Sequence, residues 1–408
     1  MKILIVSQYF WPENFSVNAI AKYLASKGHT VDVLTGVPNY PSGKAFDGYG
    51  CFKNTNQIYE GVNITRVPMK VRGTKGGDKR LILNYLSYAA SASFAILGKM
   101  DKKYDVVFVY AMSPITQAYP ALLLRLFTKT PICLYVGDLW PDTLFSHGID
   151  GGFIKKIITK ACETIYKRSD SIIIVNESFR KAVEKYSSRE NKITFIPQAV
   201  EKIYVPIESD NSLRESLSID KNGFVVMFAG NLGYAQSVLT VTTAAKLLKN
   251  EKDIHFIFVG DGTLKPECEE FCKQNGLENC HFIGRHAQEE MPKLISEADV
   301  MLVTLKNQSN YNLTVPGRTQ AFMACKKPII GCVNGETAKV INTAGAGCTV
   351  QAENAQELAD AILKFKGLDI SQREKIANNG FEYSKKNYKL EKVLEEIEGV
   401  LAETVYEK

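Results

Sequence analysis

Residues 228–236 read FAGNLGYAQ, an apolar run that stops at Ala229 and gives way to a stretch able to form a helix. Gly230, Asn231 and Gly233 stand in the turn between them. A strand that turns directly into a helix leaves backbone N–H groups unpaired at the helix N-terminus, where the helix dipole also favours negative charge. Two glycines let that backbone approach a ligand closely, and Asn231 adds a side-chain amide. The chemistry on offer is the holding of a phosphate, although a plain strand–helix turn reads the same. Arg318 follows Pro316 and Gly317 at a second predicted helix start. A guanidinium there can meet phosphate bidentately while the helix points the same way; a surface arginine is the alternative. The turn VGDG at 259–262 carries little weight alone.

Several chemistries are missing. The segment after the first apolar run, SQYFWPENFSVNAIAKYL, is long and aromatic and is not GxGxxG, which argues against a dinucleotide oxidoreductase. HExxH, GxSxG, GxxxxGK[ST] and a loop-borne DxD are absent, which disfavours metalloprotease, α/β-hydrolase and P-loop NTPase. The nearest approach to a metal set is Cys268, Cys272, Cys280 and His281; with no second matching pair it reads as buried thiols, and no metal is expected.

The elements that must position these residues form a β–α alternation. Apolar, β-branched runs fall at 2–6, 30–34, 63–67, 106–110, 132–136, 171–175 and 193–196, and again at 224–228, 255–259, 281–283, 300–305, 328–332 and 348–350. Predicted helices lie between them, among them 18–27, 236–249, 264–275, 289–297, 316–325, 336–343 and 355–365. Parallel sheets covered by helices on both faces follow. A chain of 408 residues suits two such units. The stretch 197–210, with two prolines and a polar end, reads as the linker, and 388–405 as one long amphipathic helix.

The fractions of hydrophobic (45%) and charged (23%) residues are those of a soluble globular protein. The start MKILIVSQYF reads as a first strand and not a secretion signal, and nine unpaired-looking cysteines fit a reduced, cytosolic protein. Residues 1–200 hold 26 Lys and Arg against 15 Asp and Glu, while the remainder is net acidic. A basic first half suits an anionic partner. Residues 81–97 carry no charge and approach the length of a membrane span, but Asn84, Ser87, Ser91 and Ser93 make a buried or surface-docked helix the better reading. The preceding residues 66–80 are basic. That pattern fits peripheral docking on anionic lipid or, equally, a solvated loop beside a core helix.

Taken in order, SQYFWPEN (7–14), GDLWPD (137–142), AGNLGYAQ (229–236), VGDG (259–262) and VPGRTQAFMACKKPIIG (315–331) make the chain resemble the retaining GT-B glycosyltransferases of family four. Within them it is similar to the subgroup that builds bacterial O-antigen and capsule repeats, including N-acetyl-L-fucosamine transferases. The resemblance spans nearly the whole chain. It implies an α/β fold of two Rossmann-like doubly wound domains facing a cleft: 1–200 for the acceptor, 201–385 for the nucleotide-sugar, and 386–408 as a helix returning to the first domain. It implies that Gly230, Asn231, Gly233 and Arg318 hold the donor diphosphate and that Gly284 and Arg285 lie near the base. Asp138 stands where many relatives have a histidine, to orient acceptor or sugar, or else merely caps the turn before Pro141. Trp11 and Asn14 line the acceptor side. The family's Glu-x7-Glu pair falls on Leu313 and Ala321, neither of which accepts a side-chain hydrogen bond, and its diphosphate-loop lysine falls on Gln236.

The expected reaction is metal-independent transfer from a UDP-sugar, with no separate cofactor, to a polyprenyl-pyrophosphate-linked saccharide. The protein would work in the cytoplasm, peripherally on an anionic inner membrane face, without nucleic acid. The alternatives are a non-catalytic pseudo-transferase, favoured by Leu313 and Ala321, and a UDP-N-acetylglucosamine 2-epimerase on the same fold, whose acid and base signatures are not found.

Overall fold

The computed structural model describes residues 1–73, 78–98, 100–101, 103–145, 152–187 and 193–406. Contacts divide the chain into two compact units, Met1–Pro197 with Val393–Lys408, and Gln198–Lys392. The first is built on β1 (Lys2–Val6), β2 (Thr30–Thr35), β3 (Asn56–Tyr59), β4 (Val62–Arg66), β5 (Val106–Ala111), β6 (Ile132–Val136), β7 (Ser171–Ile174) and β8 (Ile193–Phe195). The second is built on β9 (Phe224–Ala229), β10 (Ile254–Val259), β11 (Cys280–Gly284), β12 (Val300–Thr304), β13 (Ile329–Cys332) and β14 (Gly347–Val350).

The sheet orders are β3-β4-β2-β1-β5-β6-β7-β8 and β11-β10-β9-β12-β13-β14. Pairing is parallel apart from the short edge strand β3, which runs antiparallel to β4 and has too little alternation to be seen in sequence. Central strands are buried on both faces because helices cover both sides: VVFVYA of β5 and FVVMFA of β9 are entirely buried. In β9, Phe224, Val226 and Phe228 enter one core of the second unit while Val225, Met227 and Ala229 enter the other, the two-residue period of a strand. The expected helix over 236–249 is a short 3-10 turn, Tyr234–Gln236, followed by Val238–Leu247, because Ser237 takes a left-handed φ of 49° between them.

The apolar segment over 81–97 is the helix Asp78–Gly98, long and apolar enough to cross a membrane by length and composition alone. Its residues Asn84, Tyr88, Ala92 and Ile96, four apart, are buried in the first unit, and the Tyr88 hydroxyl donates to Leu34 O at 2.8 Å. It is docked by one face. The segment read as a linker is tied down at its start: Val200 N donates to Tyr388 O, and Val200 and Tyr204 pack on the second core. Two helices close the chain where one was expected, Ile370–Asn387 and Leu390–Tyr406, with residues from Val393 onward in the first unit. There His29 Nε2 meets Glu398 at 2.8 Å, the Tyr23 hydroxyl donates to Glu398 at 3.0 Å, and Ser171 pairs with Thr404.

Both sheets rely on buried polar anchors. In the first unit Glu13 is 2% exposed and one of its oxygens accepts from both Asn39 N and Tyr40 N at 2.7 Å, fixing the loop after β2. Burial raises its carboxyl to about 7, opposed by those N–H donors and by Arg66. In the second unit Arg214 donates to Glu297 O, Gly223 O and Asp299 Oδ2, and Lys327 Nζ to Ser296 O and Ala298 O. These cations close the amino ends of β9, β12 and β13, around a cavity of about 610 Å³.

Replacing Arg214 by Met should lower the unfolding free energy by about 3 kcal/mol or more, because the fully buried Glu297 loses the guanidinium 3.7 Å away; denaturant titration reads this directly. Because Glu13 binds its proton more tightly folded than unfolded, stability falls as pH rises from the ordinary glutamate range to about 7. Glu13→Gln, whose amide oxygen can still accept from the loop, should remove that slope in melting curves taken between pH 5 and 7.5.

Candidate functional site

The Gly230 turn begins where β9 ends at the carboxyl edge of its sheet, the edge at which open parallel sheets bind ligands. Gly230 has φ 145°, a conformation that favours glycine, and its N–H bonds Val259 O at 2.9 Å. A second turn lies directly against it. A Cβ on Gly260 would overlap the Gly230 carbonyl, and one on Gly262 would overlap the Leu232 backbone. Leu232 N donates to Asp261 O and Leu264 N to Leu232 O, both at 2.9 Å. The VGDG turn, dismissed on its own in the sequence, is the support of the Gly230 loop; only the register of β9 and β10 makes this visible.

Arg318 lies beneath this loop. A Cβ on Gly230 would stand 2.9 Å from its Nη1, its Nη2 donates to Thr304 O at 2.8 Å, and its guanidinium packs 5.0 Å from the centre of the Phe228 ring. Its Nε is buried without a partner, and burial lowers its pKa to about 10. Among the described residues it has no acidic partner within salt-bridge distance. A guanidinium so desolvated and unneutralised is prepared for an anion. Asn231, exposed, donates through Nδ2 to Gln236 Oε1 at 3.2 Å, and Gly233 packs on both side chains. Gln236 thus braces the turn where a lysine was expected. The nearby cation is Lys306, missed in the sequence: it lies 4.8 Å from the centre of the Tyr234 ring and is paired with Glu353 at 2.7 Å, which holds the Glu353 carboxyl below its usual range. Thr304 Oγ1 bonds Gln236 O, and Lys306 N bonds Ala235 O, fastening the turn to the end of β12.

Gly284 (φ 79°) ends the edge strand β11 and its carbonyl accepts from Gly260 N at 2.7 Å, so it touches the supporting turn; Arg285 beside it is exposed. Ala321 is buried and carries no polar group, and Gln320, 3% exposed, leaves its Oε1 without a partner.

In the first unit, Trp11 stacks on Tyr59 at 4.3 Å, and its backbone N–H donates to Asn18 Oδ1 at 3.0 Å. Asn14 is exposed in the same loop after β1. Asp138 is half-buried in the loop after β6, close enough to Tyr110 to help raise that phenol, whose pKa is set mainly by burial. All three stand at the carboxyl edge of the first sheet. The basic stretch read over 66–80 is not simply a solvated loop: Arg66 is 4% exposed between Trp11 and Tyr49, and Arg72 lies against Tyr9 and Tyr40. Lys75, in that stretch, lies outside the described residues.

Residues 14–202 match the family model "Glycosyltransferase Family 4" and residues 223–366 the model "Glycosyl transferases group 1". The chain is 27% identical over 320 residues to WcaI of Escherichia coli, named for glycosyl transfer in colanic acid biosynthesis, covering 75% of this chain and 77% of WcaI. It is 26% identical over 263 residues to WbjE of Pseudomonas aeruginosa, named as a glycosyltransferase, covering 62% and 65%. The crystal structure of HepE of Anabaena with UDP and glucose superposes with a TM-score of 0.71 at 16% identity, over 98% of this chain and 99% of HepE. The chain therefore carries the Glycosyltransferase Family 4 domain in its first half and the group 1 glycosyl transferase domain in its second, on a GT-B fold.

Proposed function

We propose that this protein transfers a sugar, an N-acetylated hexosamine or 6-deoxyhexosamine, from a UDP-sugar to a polyprenyl-pyrophosphate-linked saccharide during O-antigen or capsule synthesis, with retention at the anomeric carbon. The observation that carries the reading is Arg318, desolvated and, among the described residues, without an acid, under the Gly230 turn. The bond from the anomeric carbon to the diphosphate oxygen breaks, and the acceptor oxygen forms the new bond on the same face. The acceptor proton passes to the departing diphosphate. The charge that develops there is met by Arg318 and by the N–H groups of Asn231 and Gly233, while those of Gly230 and Leu232 hold the turn on Val259 O and Asp261 O. Asp138 orients the acceptor or sugar, and Trp11 and Asn14 line the acceptor side. UDP as the carrier is supported by HepE, which holds UDP on the same fold; surface polysaccharide is supported by the name of WcaI.

The second reading, a pseudo-transferase, is favoured by Leu313 and Ala321, which supply no carboxylate for ribose. The two readings part on turnover. Calorimetry should find UDP bound in preference to GDP and NAD, equally with and without chelator. Arg318→Ala should weaken UDP at least tenfold and cut transfer by a factor of about a hundred or more. Unchanged turnover in the variant would remove Arg318 from the site; no turnover by the wild type, with or without UDP binding, would favour the second reading.

Peripheral docking on the cytoplasmic membrane face belongs to the same proposal. The helix Asp78–Gly98 exposes Ile82, Leu83, Leu86 and Phe94. The helix Gly152–Arg168 exposes Phe153, Ile154 and Ile157 beside Lys155, Lys156 and Lys160. Apolar side chains interleaved with lysines suit an anionic interface. Changing the three lysines to Glu should reduce co-sedimentation with phosphatidylglycerol vesicles about tenfold or more; unchanged sedimentation would refute the docking.

A further inference from the structure

The loops that follow β1, β2 and β4 bring an arginine into a setting that the reaction above does not use. Arg72 Cζ lies 5.5 Å from the centre of the Tyr9 ring and 5.2 Å from that of Tyr40, and its Nη2 donates to the Tyr85 hydroxyl at 3.3 Å. Its Nε is buried without a partner. Among the described residues no carboxylate pairs with it, and Glu13, in the loop after β1, is held by Asn39 N and Tyr40 N.

The backbone is fixed as firmly as the side chain. Arg72 N donates to Asn39 Oδ1 at 3.1 Å, and Gly73 N to Gly43 O at 2.8 Å. Gly43 (φ 75°) and Gly73 (φ 84°) pack so closely that a Cβ on Gly43 would overlap the Gly73 carbonyl. The rings are fixed in turn: Tyr9 stacks on Phe15 at 5.1 Å, Tyr40 lies against Phe15 at 5.3 Å, and Tyr85 meets Trp140 edge-on at 6.5 Å. Ordering a long side chain costs rotamer freedom. Cation–π contacts return part of this cost, and no ion pair is gained among the described residues. The guanidinium is thereby presented with an unneutralised charge at the carboxyl edge of the first sheet, whose order reverses direction between β1 and β5. Crevices at such reversal points bind ligands.

We infer that Arg72, clamped by Tyr9 and Tyr40, binds an oxyanion carried by the acceptor: the diphosphate of a lipid carrier or the carboxylate of an acidic sugar. This rests on the reading that the first unit takes the acceptor. The planar fork matches either group bidentately, which a lysine ammonium would not.

The test uses the full chain saturated with UDP, so that Arg318 is occupied, and titrates it by calorimetry with farnesyl diphosphate and, separately, with methyl glucuronide. Wild type should bind one of the two. Arg72→Met should weaken that ligand at least tenfold, Arg72→Lys should restore only part of the loss, and both variants should keep wild-type UDP affinity. Binding of the diphosphate alone assigns the oxyanion to the carrier; binding of the glucuronide alone assigns it to the sugar. UDP binding intact with neither ligand bound, or with Arg72→Met binding as wild type, overturns the inference and leaves the transferase reading standing. Loss of UDP binding in wild type itself overturns that reading and the inference with it.

Discussion

The carbonyl of Gly230 and the Cα of Gly260 are in contact, with no room for a side chain between them, and the geometry of the second unit follows from that closeness. β9 and β10 pair in parallel with Ala229 opposite Val259, so both strands reach their carboxyl ends together and both chains must turn at one level. Only residues without a Cβ allow the two turns to lie face to back. The inner turn is then bound by the outer one through Val259 O, Asp261 O and Leu264 N, and is held in place. Arg318 completes the arrangement from below. Its charge is tolerable there because Thr304 O and the Phe228 ring receive it in part, and it is left short of full compensation.

Lys306 apart, which is paired with Glu353, the two edges of this sheet treat their cations differently. At the amino edge Arg214 and Lys327 are spent on carbonyls and carboxylates, and Arg373 on the carbonyls of Leu368 and its neighbours. Those side chains cap backbone groups that would otherwise be buried unpaired. At the carboxyl edge Arg318 has a single carbonyl. Arg72 in the first unit shows the same economy of partners, with two aromatic rings and a phenol in place of acids. A cavity with many positive charges is therefore less informative than one arginine with few bonds.

The β–α alternation, every strand among the described residues except β3, and the position of nearly every described helix in the second half were legible from periodicity, since strands covered on both faces are written as unbroken apolar runs. β3 was not, because an exposed edge strand of four residues, NQIY, alternates too briefly to stand out. Nor was the break at Ser237, which depends on a left-handed residue that is not glycine. Gly230 and Arg318 could be singled out by type and spacing, but their closeness depends on β9 lying beside β12. For the same reason Glu13 and Arg72 were not singled out: one stands unremarked within SQYFWPEN and the other within a basic stretch. What distinguishes each is its neighbours, supplied by loops from 26 to 63 residues away in sequence.

The pairing of residues from Val393 onward with the first unit has a consequence for how the molecule is made. A ribosome releases the chain in order, and domains fold as units while they emerge. The second unit, a single stretch from Gln198 to Lys392, is complete before the helix that His29, Tyr23 and Ser171 await has been synthesised. The half that begins first is finished last. Until then the surface that receives Val393, Leu394, Ile397 and Leu401 stays uncovered, an apolar stripe that the nascent protein must carry through the synthesis of its other half.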